Sequence, residues 1–283
     1  MLKKTFLALL ALAMVTAGGV SSALAAKGEV ELAYVEWSSE VASTNVVRAV
    51  LQEKMGYDVE ITPVSAAAMW QAVGSGDVDG MVAAWLPTTH GHYLEKVKDT
   101  VDDLGPNLEG TRIGLVVPAY VTISSIGELN DHADKFDGKI IGIDPGAGIM
   151  SKTEKVLEDY GLDKMELMEG SGATMTAALK SGIESDEWVV VTGWTPHWKF
   201  AKWDLKYLED PKNVYGGEEL ISTIVRKGLD KDMPEVYKFL DAFKWGPEDM
   251  AQVMVWNADG ADPYESAKRW IEENPEKVEA WLK

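Results

Sequence analysis

Short apolar runs alternate with helix-like stretches along almost the whole 283-residue chain, and about halfway the pattern starts again. Such alternation constrains the fold to α/β layers with mainly parallel strands. Val30 to Val35 reads as the first strand, with Trp37 just past it. Glu40 to Met55 follows as a helix, with Val41, Val46, Val47, Val50 and Leu51 approximating one face. Val59 to Pro63 is a strand, Ala66 to Val73 a helix, and Gly80 to Ala84 a strand that delivers Trp85. Ile113 to Val117 is another strong strand, stopped by Pro118.

In the second round, Ile126 to Phe136 is helical, Lys139 to Ile143 a strand, and Pro145-Gly-Ala-Gly148 a tight turn. A helix runs from about Ser151 to Tyr160, where Ser151-Lys-Thr-Glu154 matches a capping box. Met165 to Met168 is a strand, Ala173 to Lys180 a helix, and Trp188 to Thr192 a strand that delivers Trp194. After the apolar strand Ile221 to Val225, helical segments follow Pro234, Pro247, Pro263 and Pro275, each suited to a helix start. The restart implies two lobes joined by strands that cross near Ile113 to Pro118 and near Asn213 to Val225. Residues 27–115 with 216–283 would form lobe one, and 116–215 lobe two.

Residues 1–26 read as a cleaved secretory leader: Lys3 and Lys4, an apolar stretch from Phe6 to Val15, then Ala23-Leu24-Ala25. That stretch is too short to span a bilayer. The chain has no cysteine, so lipidation and disulfides are excluded, and stability must come from a buried core. An exported, unlipidated protein of this kind is expected in a Gram-negative periplasm, as a monomer. The formal net charge of −19 makes nucleic acid and anionic lipid poor partners. Screening over about 8 Å at ~0.15 M salt prevents distant surface acids from defining a binding site.

Three tryptophans, Trp37, Trp85 and Trp194, sit at strand exits, where open α/β sheets bind ligands. Indole faces suit an alkylated cation, which cannot donate a hydrogen bond. The other eight tryptophans read as packing residues, with Trp198 and Trp203 placed to support the cleft from behind. His90, five residues after Trp85, could donate to an anionic oxygen. His90-Gly-His92 is too small a set for zinc, so no metal is expected. The turn ending at Gly148-Ile149 opens a helix whose free N–H groups could take an anion, although an ordinary strand-to-helix turn looks the same. No nucleophile elbow, cysteine or carboxylate pair offers catalysis, so neither an enzyme nor a cofactor is expected. Glu36 reads as an exposed acid.

Together, Val35-Glu-Trp37-Ser, Met81-Val-Ala-Ala-Trp85-Leu-Pro-Thr-Thr-His90, Pro145-Gly-Ala-Gly148-Ile149 and Thr192-Gly-Trp194-Thr-Pro-His-Trp198 resemble glycine betaine binding proteins of ABC importers. The resemblance spans essentially the whole chain after the leader. It implies a two-lobed periplasmic-binding-protein fold, type II-like, with hinge strands and a ligand cleft between the lobes. It further implies that Trp37, Trp85 and Trp194 box the trimethylammonium group, while Gly148 and Ile149 N–H groups and His90 hold the carboxylate. A membrane permease would be the partner, and glycine betaine or proline betaine the ligand. The competing ligands are choline, which would leave His90 and the Gly148 turn without a purpose, and a sulfonium analogue. A periplasmic enzyme acting on a small metabolite is the alternative of another class.

Overall fold

The computed structural model describes residues 27–283; the expected leader lies outside them. No helix among these residues is long and apolar enough to cross a membrane. The strands are β1 (Glu29–Tyr34), β2 (Asp58–Pro63), β3 (Gly80–Leu86), β4 (Val101–Pro118), β5 (Lys139–Ile141), β6 (Glu166–Met168), β7 (Val191–Thr195), β8 (Leu205–Tyr207) and β9 (Glu219–Arg226). They join in the order β2-β1-β3-β9-β4-β7-β5-β6, with β8 on β4.

The sheet is mixed, which corrects the expectation of mainly parallel strands. β1 with β2 and β5 with β6 are parallel, but β9 runs antiparallel to both β3 and β4, and β7 and β8 antiparallel to β4. The reason is the path of β4. Its first part, from Val101 to Thr111, pairs with β9, and its second, from Arg112 to Val116, pairs with β7. One strand therefore runs out of one half of the sheet into the other. Sequence pattern revealed only the apolar end of β4. The stretch Asp102-Asp-Leu-Gly-Pro-Asn-Leu-Glu-Gly110 has little strand character, and its pairing with β9 shifts register repeatedly, as bulges do.

Helices cover both faces of the sheet. α1 (Ser38–Val50) is buried over most of its length and continues into a wider π-type turn at Leu51–Met55. α2 (Ala66–Ser75) is capped by Ser65, and α3 (Gly91–Val97) follows the Trp85 turn. The segment Ile126–Phe136 is helical with the tighter 3-10 winding. α4 (Gly148–Tyr160) begins three residues earlier than expected, with Ala147 in the cap position. Ser151 and Glu154 lie inside it, so the capping box does not form there. α5 (Gly172–Glu184), α6 (Lys199–Lys202) and α7 (Leu229–Asp232) complete the second round. Then α8 (Pro234–Ala242), α9 (Pro247–Ala258), α10 (Pro263–Glu273) and α11 (Pro275–Trp281) each open on the proline that predicted them.

α9 and α10 pack on α1, so the C-terminal helices return to the first half of the sheet. There Trp270 stacks on Trp281 at 5.7 Å and meets Trp245 edge-on at the same separation. Trp188 packs on Phe136 at 5.2 Å. These rings fill the interior, as read from the sequence.

Candidate functional site

Trp85 lies within β3 and Trp194 within β7, each near the carboxyl end of its strand. In both cases one residue separates the tryptophan from a cis proline, Pro87 or Pro196. Trp37 occupies the cap position of α1, just after β1. All three indoles are buried, and they line one small apolar cavity together with Thr89, Ile113, Ile143, Ala147, Gly148 and Ile149. Residues from both halves of the sheet thus converge.

The Trp85 turn is held from below. Glu219 on β9 accepts the Thr88 and Thr89 N–H groups at 2.7 Å each, and the Thr89 hydroxyl as well. Opposite it stands Gly148, the first residue of α4. A methyl group there would come within 2.5 Å of both the Thr89 side chain and the Thr89 carbonyl oxygen. Only glycine permits this approach. At a first helical turn the N–H groups of Gly148 and Ile149 have no acceptor within the helix, so the cavity ends on two free donors.

His90 does not line this cavity. Its ring is fully buried beside Trp37, Trp70 and Tyr93, at centroid distances of 5.8, 6.0 and 5.9 Å. Burial, then the neighbouring His92, holds its pKa down at about 3, with the Ala83 backbone pulling the other way to a lesser extent. The imidazole is therefore neutral. Its Nδ1 accepts the Trp85 N–H at 3.2 Å, which assigns the proton to Nε2. Nε2 finds no well-aligned partner. It is a buried N–H donor one layer behind the tryptophans. Glu36 is exposed, as expected.

Sequence reasoning missed the groups that hold the indoles. Trp37 Nε1 donates to Asp144 Oδ2 at 2.7 Å, and Trp85 Nε1 to Glu40 Oε1 at 2.6 Å. Trp194 Nε1 donates to Ser39 Oγ at 3.2 Å, and the Ser39 hydroxyl donates to Glu40. Trp198 Nε1 reaches Ser38 Oγ at 3.2 Å, bracing the site from behind. Glu40 is fully buried, which raises its pKa to about 7 against the opposing pull of Ser39 and Trp85. Ser38-Ser39-Glu40 had the look of a plain helix start, with no sign of these contacts.

Behind Trp194 lies a second unforeseen group. Lys199 is fully buried, and its Nζ sits 4.5 Å from the centre of the Trp194 ring without a hydrogen-bond partner. Burial lowers its pKa to about 7. His197, also buried, meets Trp194 edge-on at 4.7 Å, and burial keeps it neutral.

This geometry defines a class: an α/β protein of the two-lobed periplasmic-binding-protein fold. Residues 28–273 match the substrate binding domain of ABC-type glycine betaine transport systems, and the chain belongs to that family. A lactococcal member, OpuAC, crystallised closed on glycine betaine, shares 47% identity and a TM-score of 0.86, covering 90% of this chain and 100% of that one. The ProX protein of Borrelia burgdorferi shares 43% identity at the same TM-score, covering 90% of this chain and 97% of that one. A choline binding protein in complex with choline is more distant, at 27% identity and TM-score 0.83, with 90% of this chain and 91% of that one covered. The glycine betaine/carnitine transport binding protein of Listeria monocytogenes is 49% identical over 162 residues, 56% of this chain. The chain spans about half the length of that relative, 54%.

Proposed function

We propose that the protein captures glycine betaine, or proline betaine, outside the cytoplasm and delivers it to the permease of an ABC importer. The observation that carries this reading is the convergence of three buried indoles from both halves of the sheet on one apolar cavity. Glycine betaine is net neutral with separated charges, and its ammonium has no N–H to offer a carboxylate. Neutral ring faces match it, at ~1–2 kcal/mol each when desolvated. The free N–H groups of Gly148 and Ile149 would take the carboxylate, at ~1.5–3 kcal/mol for each charge-assisted bond. Micromolar binding corresponds to about −8 kcal/mol, so neither the rings nor the hydrogen bonds alone would provide it. His90 would act from behind, its Nε2–H available to the carboxylate once the ligand draws the ring forward.

The lobes of this reading are residues 27–115 with 216–283, and residues 116–215. The passage of β4 from one half of the sheet to the other supports that division. A monomer in the periplasm, free of the leader, would present the closed lobes to the permease. Titration followed by tryptophan fluorescence tests the ligand: glycine betaine should saturate the signal, with choline far weaker. Saturation by choline and silence with betaine would reject the choice. Trp194→Ala should weaken betaine by at least ~1 kcal/mol while circular dichroism stays unchanged. An unfolded variant would make the ring a core residue instead.

A further inference from the structure

A cage of neutral rings is usually credited with its faces alone, but here the edges of the rings are also organised. Each of the three indole N–H groups points away from the cavity, and each is terminated on acid. Trp85 ends on Glu40, Trp37 on Asp144, and Trp194 on Ser39, whose own hydroxyl donates to Glu40. Neither carboxylate lines the cavity. Both therefore stand behind the rings, separated from any ligand by indole.

We propose that Glu40 and Asp144 charge the cage from behind: they are the groups that let it prefer a quaternary ammonium over a neutral group of the same shape. The inference rests on the betaine reading above. Two physical effects work in the same direction. An indole N–H bonded to a carboxylate donates electron density inward, so the ring faces become more negative where the cation lies. The carboxylate also attracts the cation directly through a buried, water-free wall of low effective dielectric, where charges are screened far less than in water. The ligand ammonium gains from both without losing its apolar surroundings, and no ion pair has to form around a cation that cannot hydrogen-bond.

The wiring also crosses the molecule. Trp37 belongs to the first half and Asp144 to the second, while Trp194 belongs to the second and Ser39 and Glu40 to the first. Two of the three rings acquire their acid only when the halves meet. Closure therefore completes the charging of the cage, which the Trp85–Glu40 pair begins within the first half. Burial raises Glu40 to about 7, so it is about half ionised near neutral pH, and a bound cation would draw it toward the ionised form. Lys199 stands 4.5 Å from the centre of the Trp194 ring, outside the cavity lining, and its amine, lowered to about 7, is about half protonated at that pH and loses its charge above it.

The test compares two ligands of one shape. In the tert-butylacetate anion a quaternary carbon replaces the ammonium nitrogen of glycine betaine, and the carboxylate is kept. Kd values for both are measured on the full protein, the isostere by its competition with betaine. In Glu40→Gln, betaine should weaken at least about tenfold, while tert-butylacetate holds within about twofold or tightens. An equal loss for both ligands would make Glu40 a packing residue, and an unchanged betaine Kd would leave it without a role; either overturns the inference. Asp144→Asn, at a half-buried position, repeats the comparison should Glu40→Gln not fold. Wild-type protein that ignores betaine would fail the parent reading, whereas wild-type binding with no ligand-specific loss in the variants fails this inference alone.

Discussion

Gly148→Ala is expected to lower betaine affinity on the order of a hundredfold and to leave the unfolding midpoint almost unchanged. The added methyl would sit 2.5 Å from the Thr89 carbonyl oxygen, and backbone cannot give way as a flexible side chain can. Thr89 is doubly fixed, since Glu219 accepts both its N–H and its hydroxyl. Relief must come from the halves moving apart. Overpacking of this kind costs about 1–3 kcal/mol, and separation also takes the α4 donors away from a ligand resting on Trp85. When the cleft is open the conflict vanishes, and alanine suits the first turn of a helix, so the fold itself loses nothing. Isothermal titration beside a thermal melt checks both halves of the expectation. Unaltered affinity would mean that ligand binding does not bring Gly148 onto Thr89.

This contrast between closure and stability was only partly legible in the sequence. The indoles were legible because each stands at the end of a buried apolar run, and open α/β sheets bind ligands at the carboxyl ends of their strands. The four proline helix starts were legible because proline has a local meaning there. What failed was whatever tertiary pairing decides. β4, at 18 residues, is more than three times the length suggested by its apolar core, since Asp102 to Gly110 becomes strand only by lying against β9. The helix after the Gly148 turn begins at the turn itself, because the backbone groups there face the first half of the molecule, and the Ser151 signal is overridden. Glu40 and Asp144 were unreadable for the same reason. A carboxylate at a helix start or before a proline is ordinarily solvated, and only the approach of an indole from elsewhere gives it a partner. The strong acidity of the surface, by contrast, has no structural link to the site: the two acids bonded to its indole N–H groups are placed by those hydrogen bonds, not by the net charge.

Lys199 is the case in which local pattern misleads most, and it yields the largest expected change in stability. In sequence it is one charge after a tryptophan motif; in the fold its amine is buried over Trp194 with no partner. Burial lowers its pKa from 10.5 to about 7. The unfolded chain keeps the proton that the folded chain gives up, so folding is penalised wherever the pH lies below the unfolded value. The penalty grows as pH falls from about 10.5 toward about 7 and is constant below that. At ~1.4 kcal/mol per unit, it reaches on the order of 3–5 kcal/mol near neutral pH. Lys199→Met keeps the length, removes the charge and places a polarisable sulfur near the ring. The variant should therefore be more stable by about 2–4 kcal/mol at pH ~7 in urea unfolding, and the gain should shrink steadily toward pH ~10. A gain independent of pH would mean that packing, not ionisation, sets the difference, and a loss would mean the amine has a hydrogen-bond partner in solution. Should the gain appear with the expected slope, the wild-type chain carries a costly buried amine against the very ring that closes its cage. Below pH ~7 that amine regains its proton, and a cation fixed 4.5 Å from the Trp194 ring, outside the cavity, then draws on the same π system as the ligand ammonium.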